Sequence, residues 1–362
     1  MIDCLKDGYA NLHRVSRVLF NTSGAGKTRL VLEGLCKEWG FYFTCKRGVS
    51  ECGSADLDCV LDPAGHGYLR AFGLIENPDN NEAVRLNEEL AESCFMAVLI
   101  ARLMVFQCLL AAYGAKGKAI TLAELKRIWL FVQLDSRLLA TSDCPDLLLE
   151  LTSLLCYLPR STALPARGQK MLGECRLFIK TMVPERPPSG DTKIHMFCVV
   201  DEVQNAADLF PKAFRGGPTA TEPRPALRAL LNIWSIGMRF VITGTSLNIQ
   251  HIRDAVSSTV GKFNGHIDRA INGTGSFIYK DEQIDSFLNH YLPSRYLDSP
   301  IGKELTRRAR YWLVGRPRFV ALLTSFIQAI TKFSPTDGTK WEQMEDPVPA
   351  SLELPAPFNL EK

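Results

Sequence analysis

The sequence lacks the patterns that identify a zinc site, a disulfide framework or a nucleic-acid-binding surface. Its 362 residues carry a net charge of only +3, which is too small to indicate nucleic acid or an anionic membrane as a partner. The 11 cysteines include no C-x-x-C pair, the spacing typical of zinc sites, and the 6 histidines are scattered along the chain. We therefore expect neither a cysteine-based metal site nor disulfide bonds.

Long uncharged hydrophobic runs are also missing. Phe95–Tyr113 is mostly apolar, but Arg102 lies near its centre. A central arginine costs about 2.5–3.5 kcal/mol on membrane insertion, and neither uncharged half is long enough to span a bilayer. The segment is therefore expected to be a buried core helix, and no membrane partner is expected.

The first residues do not form the apolar stretch of a secretory signal peptide, since Ile2–Asn11 carries charges and no apolar core. Free cysteines buried in apolar patterns behave as small hydrophobic side chains and are typical of reducing compartments. The sequence therefore predicts an intracellular protein of the cytoplasm or nucleus.

Hydrophobic residues make up 46% and charged residues 22% of the chain, as in ordinary globular proteins, and the length allows two domains. Short β-branched or aromatic runs predict strands at Arg17–Phe20, Gly40–Cys45, His195–Val200 and Arg239–Thr243. Helical periodicity predicts helices at Thr28–Trp39, Glu82–Tyr113, Leu122–Leu138, Pro145–Leu155, Gly168–Lys180, Pro225–Trp234, Glu282–Tyr291, Gly302–Trp312 and Pro317–Lys332. Because strands and helices alternate, we expect an α/β fold with a parallel sheet sandwiched by helices.

About 150 mostly helical residues separate the second predicted strand from the third, which is too long for a loop and indicates a helical insertion. The expected organisation is a first part of the sheet core at 1–80, a mostly helical insertion at 81–182, a second part of the core at 183–275, a small C-terminal helical or winged-helix-like domain at 276–332, and a disordered tail or linker at 333–362. The tail is assigned from its Pro, Glu and Asp content, which shows no periodicity.

One motif lies between the first predicted strand and the first predicted helix: Asn21-Thr22-Ser23-Gly24-Ala25-Gly26-Lys27-Thr28. It matches the phosphate-binding pattern G-x-x-x-x-G-K-[ST] except at the first glycine, which Asn21 replaces. Backbone N–H groups must wrap an anionic phosphate there, and Gly24 and Gly26 permit the close approach and positive φ that this needs. Asn21 is tolerable because asparagine visits left-handed conformations.

The residues that follow suit a nucleoside triphosphate. The loop leads to a helix N-terminus, where unpaired N–H groups and the helix dipole favour negative charge. Lys27 would reach the β- and γ-phosphates, and the Thr28 hydroxyl would ligate Mg²⁺. We therefore expect Asn21 to Arg29 to bind ATP with Mg²⁺; a glycine-rich turn that joins strand to helix by chance is the alternative.

A second motif is the apolar strand His195–Val200 followed by Asp201 and Glu202. This is the Walker B arrangement, in which the carboxylate at the strand end, Asp201, would hold Mg²⁺ directly or through water. Glu202 would act as the catalytic base or positioning group for the water that attacks the γ-phosphate. The alternative is that the two carboxylates only cap the next predicted helix, Val203–Phe210.

Three segments together resemble the P-loop ATPases of the AAA+/STAND kind: Asn21–Thr28, Val199–Glu202 and Ile242–Ser246. The resemblance implies a P-loop sheet with one strand inserted between the phosphate-loop strand and the Walker B strand, and a polar sensor-1 side chain near the end of that inserted strand. The candidates for this side chain are Thr243, Thr245 and Asn248. We favour Thr245 as a catalytic residue; an ordinary strand-to-loop turn is the alternative.

Functional arginines are implied by the same resemblance. Leu313–Phe319 is similar to the Gly-x-Pro element that opens the small domain of STAND relatives, so Arg316 or Arg318 is expected to touch the γ-phosphate as sensor 2. A plain helix start at Pro317 with solvated arginines is the alternative. An arginine finger would neutralise charge in the transition state. Its candidates, expected near the active edge of the sheet, are Arg215, Arg224, Arg239 and Arg253.

More narrowly, Leu30–Phe43 and Val200–Gln204 resemble the P-loop modules that are multiplied in mushroom-forming fungi and related to the NTPase part of Crinkler-type effectors. Those families pair the ATPase with an N-terminal header or with a C-terminal nuclease or kinase-like domain. Neither is recognisable in this sequence.

The sequence thus predicts Mg²⁺-dependent ATP binding and hydrolysis by an enzyme whose conformation or assembly switches with the nucleotide, through a protein partner or self-association. A scaffold that binds ATP or ADP with little turnover is the main alternative, and a small-molecule kinase stays open. A nucleic-acid motor is suggested only by the DExQ-like string Asp201–Gln204, and about 110 residues after Thr245 leave little room for a second RecA-like domain. No Asn-Lys-x-Asp string indicates a GTPase.

Overall fold

The computed structural model describes residues 17–21, 27–46, 52–64, 67–115, 120–158, 163–182, 196–215, 223–234, 238–245, 270–271, 281–312 and 323–324. The chain divides into two compact units: the first holds the described residues from 17 to 271, and the second those from 281 to 324. Of the predicted helix Pro317–Lys332 only 323–324 are described, and the predicted tail at 333–362 lies outside the described residues.

The first unit is built on a five-stranded parallel sheet. The described strands are β1 (Arg17–Asn21), β2 (Gly40–Thr44), β3 (Phe197–Asp201), β4 (Phe214–Arg215), β5 (Pro223–Arg224), β6 (Arg239–Thr245) and β7 (Ala270–Ile271). The order across the sheet is β2-β3-β6-β1-β7, and β4 and β5 form a separate antiparallel pair. The expected α/β fold with a parallel sheet is therefore confirmed, and β6 is inserted between β1 and β3.

Helices account for most of the remaining described chain. They are α1 (Lys27–Leu35), α2 (Asp56–Leu61), α3 (Tyr68–Ala71), α4 (Asn81–Ala115), α5 (Leu122–Leu134), a 3₁₀ turn (Ser136–Leu139), α6 (Leu147–Cys156), α7 (Ala163–Met182), α8 (Val203–Asp208), α9 (Ala226–Trp234), α10 (Asp281–Tyr291), α11 (Ser294–Asp298) and α12 (Pro300–Trp312). Four of them, α4 to α7, lie between β2 and β3 in the stretch predicted as a helical insertion.

The sequence-based element bounds need small corrections. Each of the four predicted strands is confirmed within two residues at either end. Helix α1 ends at Leu35 rather than at Trp39, whose carbonyl instead accepts the backbone N–H of Phe197 at 2.9 Å in the sheet. Helix α5 ends at Leu134 rather than at Leu138, because Asp135 adopts extended backbone angles. The short elements α2, α3 and β7 were not predicted, since they contain too few residues to show a periodicity.

Helix α4 forms the centre of the hydrophobic core, as predicted for Phe95–Tyr113. It is 35 residues long, and among the described helices it is the one that is long and apolar enough to cross a membrane. However, 67% of its apolar window is buried within the protein. It packs against α6, α7 and α9, with the sheet residues Phe41 and Phe43 in the same core.

The arginine in the middle of this apolar helix has a specific partner. The Arg102 guanidinium donates from Nε to Asp56 Oδ2 and from Nη2 to Asp56 Oδ1, both at 2.8 Å, and both side chains are 0% exposed. The guanidinium carbon lies 4.7 Å from the centroid of the Phe43 ring. The bidentate ion pair therefore ties α4 to α2 and places both against strand β2.

Helix α5 covers the outer edge of strand β2. Gln133 Oε1 accepts the backbone N–H of Tyr42 at 2.9 Å, and Trp129 Nε1 donates to the carbonyl of Gly40 at 2.7 Å. An uncovered edge strand would expose these backbone groups to pairing with another chain. The start of α5 is fixed by a capping box between Thr121 and Glu124.

The second unit contains α10, α11 and α12 among its described residues. Its small core consists of Ile284, Leu288, Leu292, Tyr296, Leu305 and Ala309. Arg310 on α12 pairs with Asp285 on α10, with Nε to Oδ1 at 2.9 Å. These helices therefore have an apolar core of their own.

Removing the acidic partner of the buried ion pair should be costly. Asp56→Ala leaves the Arg102 charge buried without its carboxylate, and we expect the free energy of unfolding to fall by about 3–5 kcal/mol in urea denaturation. The double variant Asp56→Ala/Arg102→Met should recover more than half of this loss, because no buried charge remains. As a control, Glu89→Ala removes one of the two exposed carboxylates that pair with Arg85, the other being Glu82, and should cost at most about 1 kcal/mol. Equal losses in the two single variants would contradict the assignment.

Candidate functional site

The carboxyl ends of the strands bring the motif residues to one edge of the sheet. In the register of the sheet, Asn21 at the end of β1 pairs with Thr245 at the end of β6, and Thr44 at the end of β2 pairs with Asp201 at the end of β3. Open α/β sheets bind their ligands at this edge. The two sequence motifs, which are far apart in the chain, therefore meet here.

Lys27 is the first residue of α1 and is only 6% exposed. Burial lowers the pKa of its amine, and the nearby carboxylates of Glu202 and Asp201 oppose this effect without cancelling it. A buried cation at a helix N-terminus is unfavourable for folding, since the helix dipole already places positive charge there. The carboxylates of Glu202 and Asp201 offset part of this cost, because they favour the charged amine.

Asp201 is 2% exposed, and its carboxylate accepts four hydrogen bonds. Its Oδ2 accepts from the Thr28 hydroxyl at 2.8 Å and from the Tyr42 phenol at 3.0 Å. Its Oδ1 accepts from the backbone N–H of Glu202 at 2.9 Å and from the Thr243 hydroxyl. Four donors fill the acceptor positions of one carboxylate and stabilise a negative charge that water does not reach.

Tyr42 stays protonated beside this charge. Burial raises the pKa of its phenol, and the negative charge of Asp201 raises it further. The phenol therefore remains a hydrogen-bond donor throughout the physiological pH range.

Glu202 occupies a strained position directly after Asp201. Its φ of 55° and ψ of 36° lie in the left-handed region, which is uncommon for residues other than glycine. It precedes α8, but its side chain makes no capping hydrogen bond. Instead, its Oε2 accepts from the amide of Gln204. The alternative that Glu202 serves only to cap the next helix is therefore wrong.

The remaining predicted site residues are placed as follows. Several predicted residues lie outside the described ranges: Thr22 to Gly26, Asn248, Arg253, Arg316 and Arg318. For Asn21 and Thr245 the structure describes the backbone, at adjacent strand ends, but not the side chains. Arg29 is exposed, and its Nε donates to Glu33 Oε1 at 2.8 Å one turn along α1.

The candidates for the arginine finger are distributed differently from the prediction. Arg239 begins β6, so it lies at the amino end of the strand, about 20 Å from Thr245 at 3.3 Å per residue. The expectation that Arg239 lies near the active edge is therefore wrong, because in a parallel sheet all strand starts lie at the opposite edge. Arg215 and Arg224 belong to the β4–β5 pair, and Arg215 donates to the side chain of Asn81 on α4.

Tyr42 was not among the predicted site residues, and Thr245 was favoured over Thr243. Tyr42 lies in the aromatic run Phe41–Phe43, which reads as a buried strand, and only the pairing of β2 with β3 brings its hydroxyl to Asp201. Thr243, one of the three sensor-1 candidates, is 0% exposed and lies two residues before the strand end. A signal for both is a hydroxyl in an otherwise apolar strand, since a buried hydroxyl needs a partner.

The donor set at this edge fits Mg²⁺ better than zinc. Within the described ranges no three His, Cys, Asp or Glu side chains form a group that could hold a metal ion. The Thr28 hydroxyl and the Asp201 carboxylate are hard oxygen donors in direct contact. Mg²⁺ needs only one or two such protein ligands, because phosphate oxygens and water complete its coordination.

Comparison of the chain with protein families, with curated proteins and with solved structures gives no significant match. The functional assignment therefore depends on the motif residues and on the geometry that joins them. That geometry can be tested without any ligand.

The Thr243 hydrogen bond to Asp201 should contribute to stability. Thr243→Val keeps the side-chain shape but removes a donor to a buried carboxylate, and we expect the free energy of unfolding to fall by about 1.5–3 kcal/mol. The control is Thr152→Val on α6: Thr152 is also 0% exposed, but its hydroxyl has no hydrogen-bond partner among the described residues. That variant should be neutral or slightly stabilising in the same urea denaturation. A neutral Thr243→Val would contradict the arrangement.

Proposed function

We propose that this protein is a Mg²⁺-dependent P-loop ATPase of the AAA+/STAND kind, which binds and hydrolyses ATP at the carboxyl edge of its sheet. Its conformation or its assembly with a protein partner or a second copy changes with the nucleotide. The narrower resemblance to the fungal modules related to Crinkler-type NTPases, and an intracellular location, belong to the same proposal.

The observation that carries this proposal is the contact between Thr28 and Asp201. Their side chains are 173 positions apart in sequence, yet Thr28 Oγ1 lies 2.8 Å from Asp201 Oδ2. The residue types at this contact are those that a P-loop ATPase uses to hold Mg²⁺, one from each of its two motifs. A chance glycine-rich turn and a chance acidic strand end have no reason to meet in this way.

Two further observations support it. The strand order places β6 between the strand that precedes the phosphate loop and the strand that ends in Asp201. The buried Lys27 lies within electrostatic reach of Asp201 and Glu202 at a helix N-terminus. A triphosphate would add negative charge beside this lysine and the helix N-terminus.

Each residue then has a role. Lys27 and the backbone N–H groups of Asn21 to Gly26 bind the phosphates. Thr28 and Asp201 hold Mg²⁺, which neutralises charge on the phosphate oxygens when bound. Glu202 orients the attacking water and accepts its proton, and the hydroxyl of Thr243 fixes Asp201 from the neighbouring strand.

One observation favours the alternative of a nucleotide-binding scaffold with little turnover. The Gln204 amide engages the Glu202 carboxylate, which would otherwise be available to water. If this contact restrains Glu202, Gln204→Ala should raise the rate of phosphate release severalfold without changing the affinity for ATP. A fall in that rate would favour the ATPase, with Gln204 as a group that orients Glu202.

The roles of Lys27 and Glu202 are separable by experiment. Lys27→Ala is expected to weaken Mg²⁺-ATP binding at least tenfold, because it removes the cation that meets the phosphates. Glu202→Gln should keep the affinity within about threefold but lower turnover by about a hundredfold, the usual effect of losing a general base. Fluorescent-nucleotide binding and phosphate release from the same samples check both expectations.

Lys170→Ala is a matched control for the lysine, because Lys170 is an exposed side chain on α7. It should leave both measurements unchanged. Absence of nucleotide binding by the parent chain, with and without Mg²⁺, would refute the proposed function.

A further inference from the structure

Tyr42 shares one oxygen of Asp201 with Thr28. Its phenol donates to Oδ2 at 3.0 Å, and the Thr28 hydroxyl donates to the same atom at 2.8 Å. Tyr42 is 2% exposed and lies in the middle of β2, the strand next to Asp201's own strand. The hydroxyl is thus directed at the carboxylate from the side opposite to Thr243, which donates to Oδ1.

Packing alone does not require a tyrosine at this position. The ring lies in a small apolar cluster with Val31 and Leu35 of α1, Leu130 of α5, and Phe197 and Val199 of β3. A phenylalanine would fill the same space, as Phe41 and Phe43 do on the other face of the strand. The one group that phenylalanine would lack is the hydroxyl that contacts Asp201.

Tyr42 is itself held from the helical insertion. Its backbone N–H donates to Gln133 Oε1 at 2.9 Å, and Gln133 is 0% exposed. The Gln133 amide is held in turn, with Nε2 at 3.3 Å from the carbonyl of Trp129 and at 3.4 Å from that of Gly40. A continuous series of hydrogen bonds therefore runs from α5 through Tyr42 to Asp201.

We propose that Tyr42 is a positioning residue for Asp201 that sets how tightly the site takes Mg²⁺ together with nucleotide, and that α5 controls Tyr42 through Gln133. The proposal rests on the proposed function, since it concerns the carboxylate assigned to Mg²⁺. It goes further by linking the helical insertion to the metal requirement of the site.

The physical reason is preorganisation. The Thr28 hydroxyl would ligate a cation through an oxygen lone pair while its O–H group still donates to Asp201 Oδ2, and Tyr42 is a second described side chain that holds the same oxygen. A carboxylate fixed in advance loses less conformational freedom when it binds a cation. Loss of an outer hydrogen bond to a metal-binding residue typically costs about 10–100-fold in metal affinity.

The test measures metal dependence rather than turnover. A fluorescent ATP analogue is bound to the parent chain and to Tyr42→Phe, first in EDTA and then in a titration with MgCl₂. We expect the half-saturating Mg²⁺ concentration to rise about tenfold in Tyr42→Phe. The affinity in EDTA should stay within about twofold, because the phosphate contacts of Lys27 are intact.

Tyr113→Phe is the matched control, since Tyr113 is another largely buried tyrosine, near the end of α4. It should behave as the parent chain does. An unchanged half-saturating Mg²⁺ concentration in Tyr42→Phe, in a parent chain that binds nucleotide, would overturn this inference and leave the proposed function standing. A parent chain that binds no nucleotide would instead refute the proposed function.

Gln133→Met tests the link to α5 and serves if Tyr42→Phe does not fold. It removes the acceptor for the Tyr42 backbone N–H but keeps the phenol and the side-chain volume. We expect a smaller rise in the half-saturating Mg²⁺ concentration, of about threefold, because Tyr42 is less firmly placed. No rise in a folded Gln133→Met variant, as judged by thermal unfolding in EDTA, would overturn the role of α5.

Discussion

A carboxylate that is buried away from water needs hydrogen-bond donors, and the donors to Asp201 come from elements across most of the sheet. Its donors come from the helix after β1, from β2, from β6 and from the backbone of the next residue. A change in strand order would remove at least one of them. The sheet β2-β3-β6-β1-β7 is an arrangement in which a buried acid at the end of β3 reaches all four.

The helical insertion also satisfies backbone hydrogen-bonding groups at the outer edge of β2. Trp129 and Gln133 of α5 satisfy backbone groups on that edge, while α4 covers one face of the same strand and carries a buried arginine paired with Asp56. Trp234 of α9 donates to the carbonyl of Phe95 at 2.8 Å, so α9 also holds α4 in place. The insertion is thus part of the core that supports the site, and not an appendage to it.

Local sequence patterns were sufficient to predict the elements that are determined by a short stretch of the chain. Strand β3 and the start of the helix at Lys27 follow from an apolar run and from a motif that ends in a helix start, so they were predicted within two residues. The contacts of Tyr42 and Thr243 could not be predicted, because they depend on which strands are neighbours. Arg239 was misplaced for a different reason: the predicted strand Arg239–Thr243 already begins at this residue, which puts it at the amino end of a parallel strand. The two-residue strand β7 has no pattern of its own, since its pairing with β1 is determined by the rest of the sheet.

The left-handed backbone of Glu202 has a consequence for how this position can vary. Glycine adopts that conformation without strain, so a glycine there would make the protein more stable. The backbone conformation by itself therefore does not favour a glutamate at this place. Selection for thermal stability alone would therefore be expected to favour glycine at this position, and the carboxylate that follows Asp201 at the carboxyl edge of the sheet would be lost.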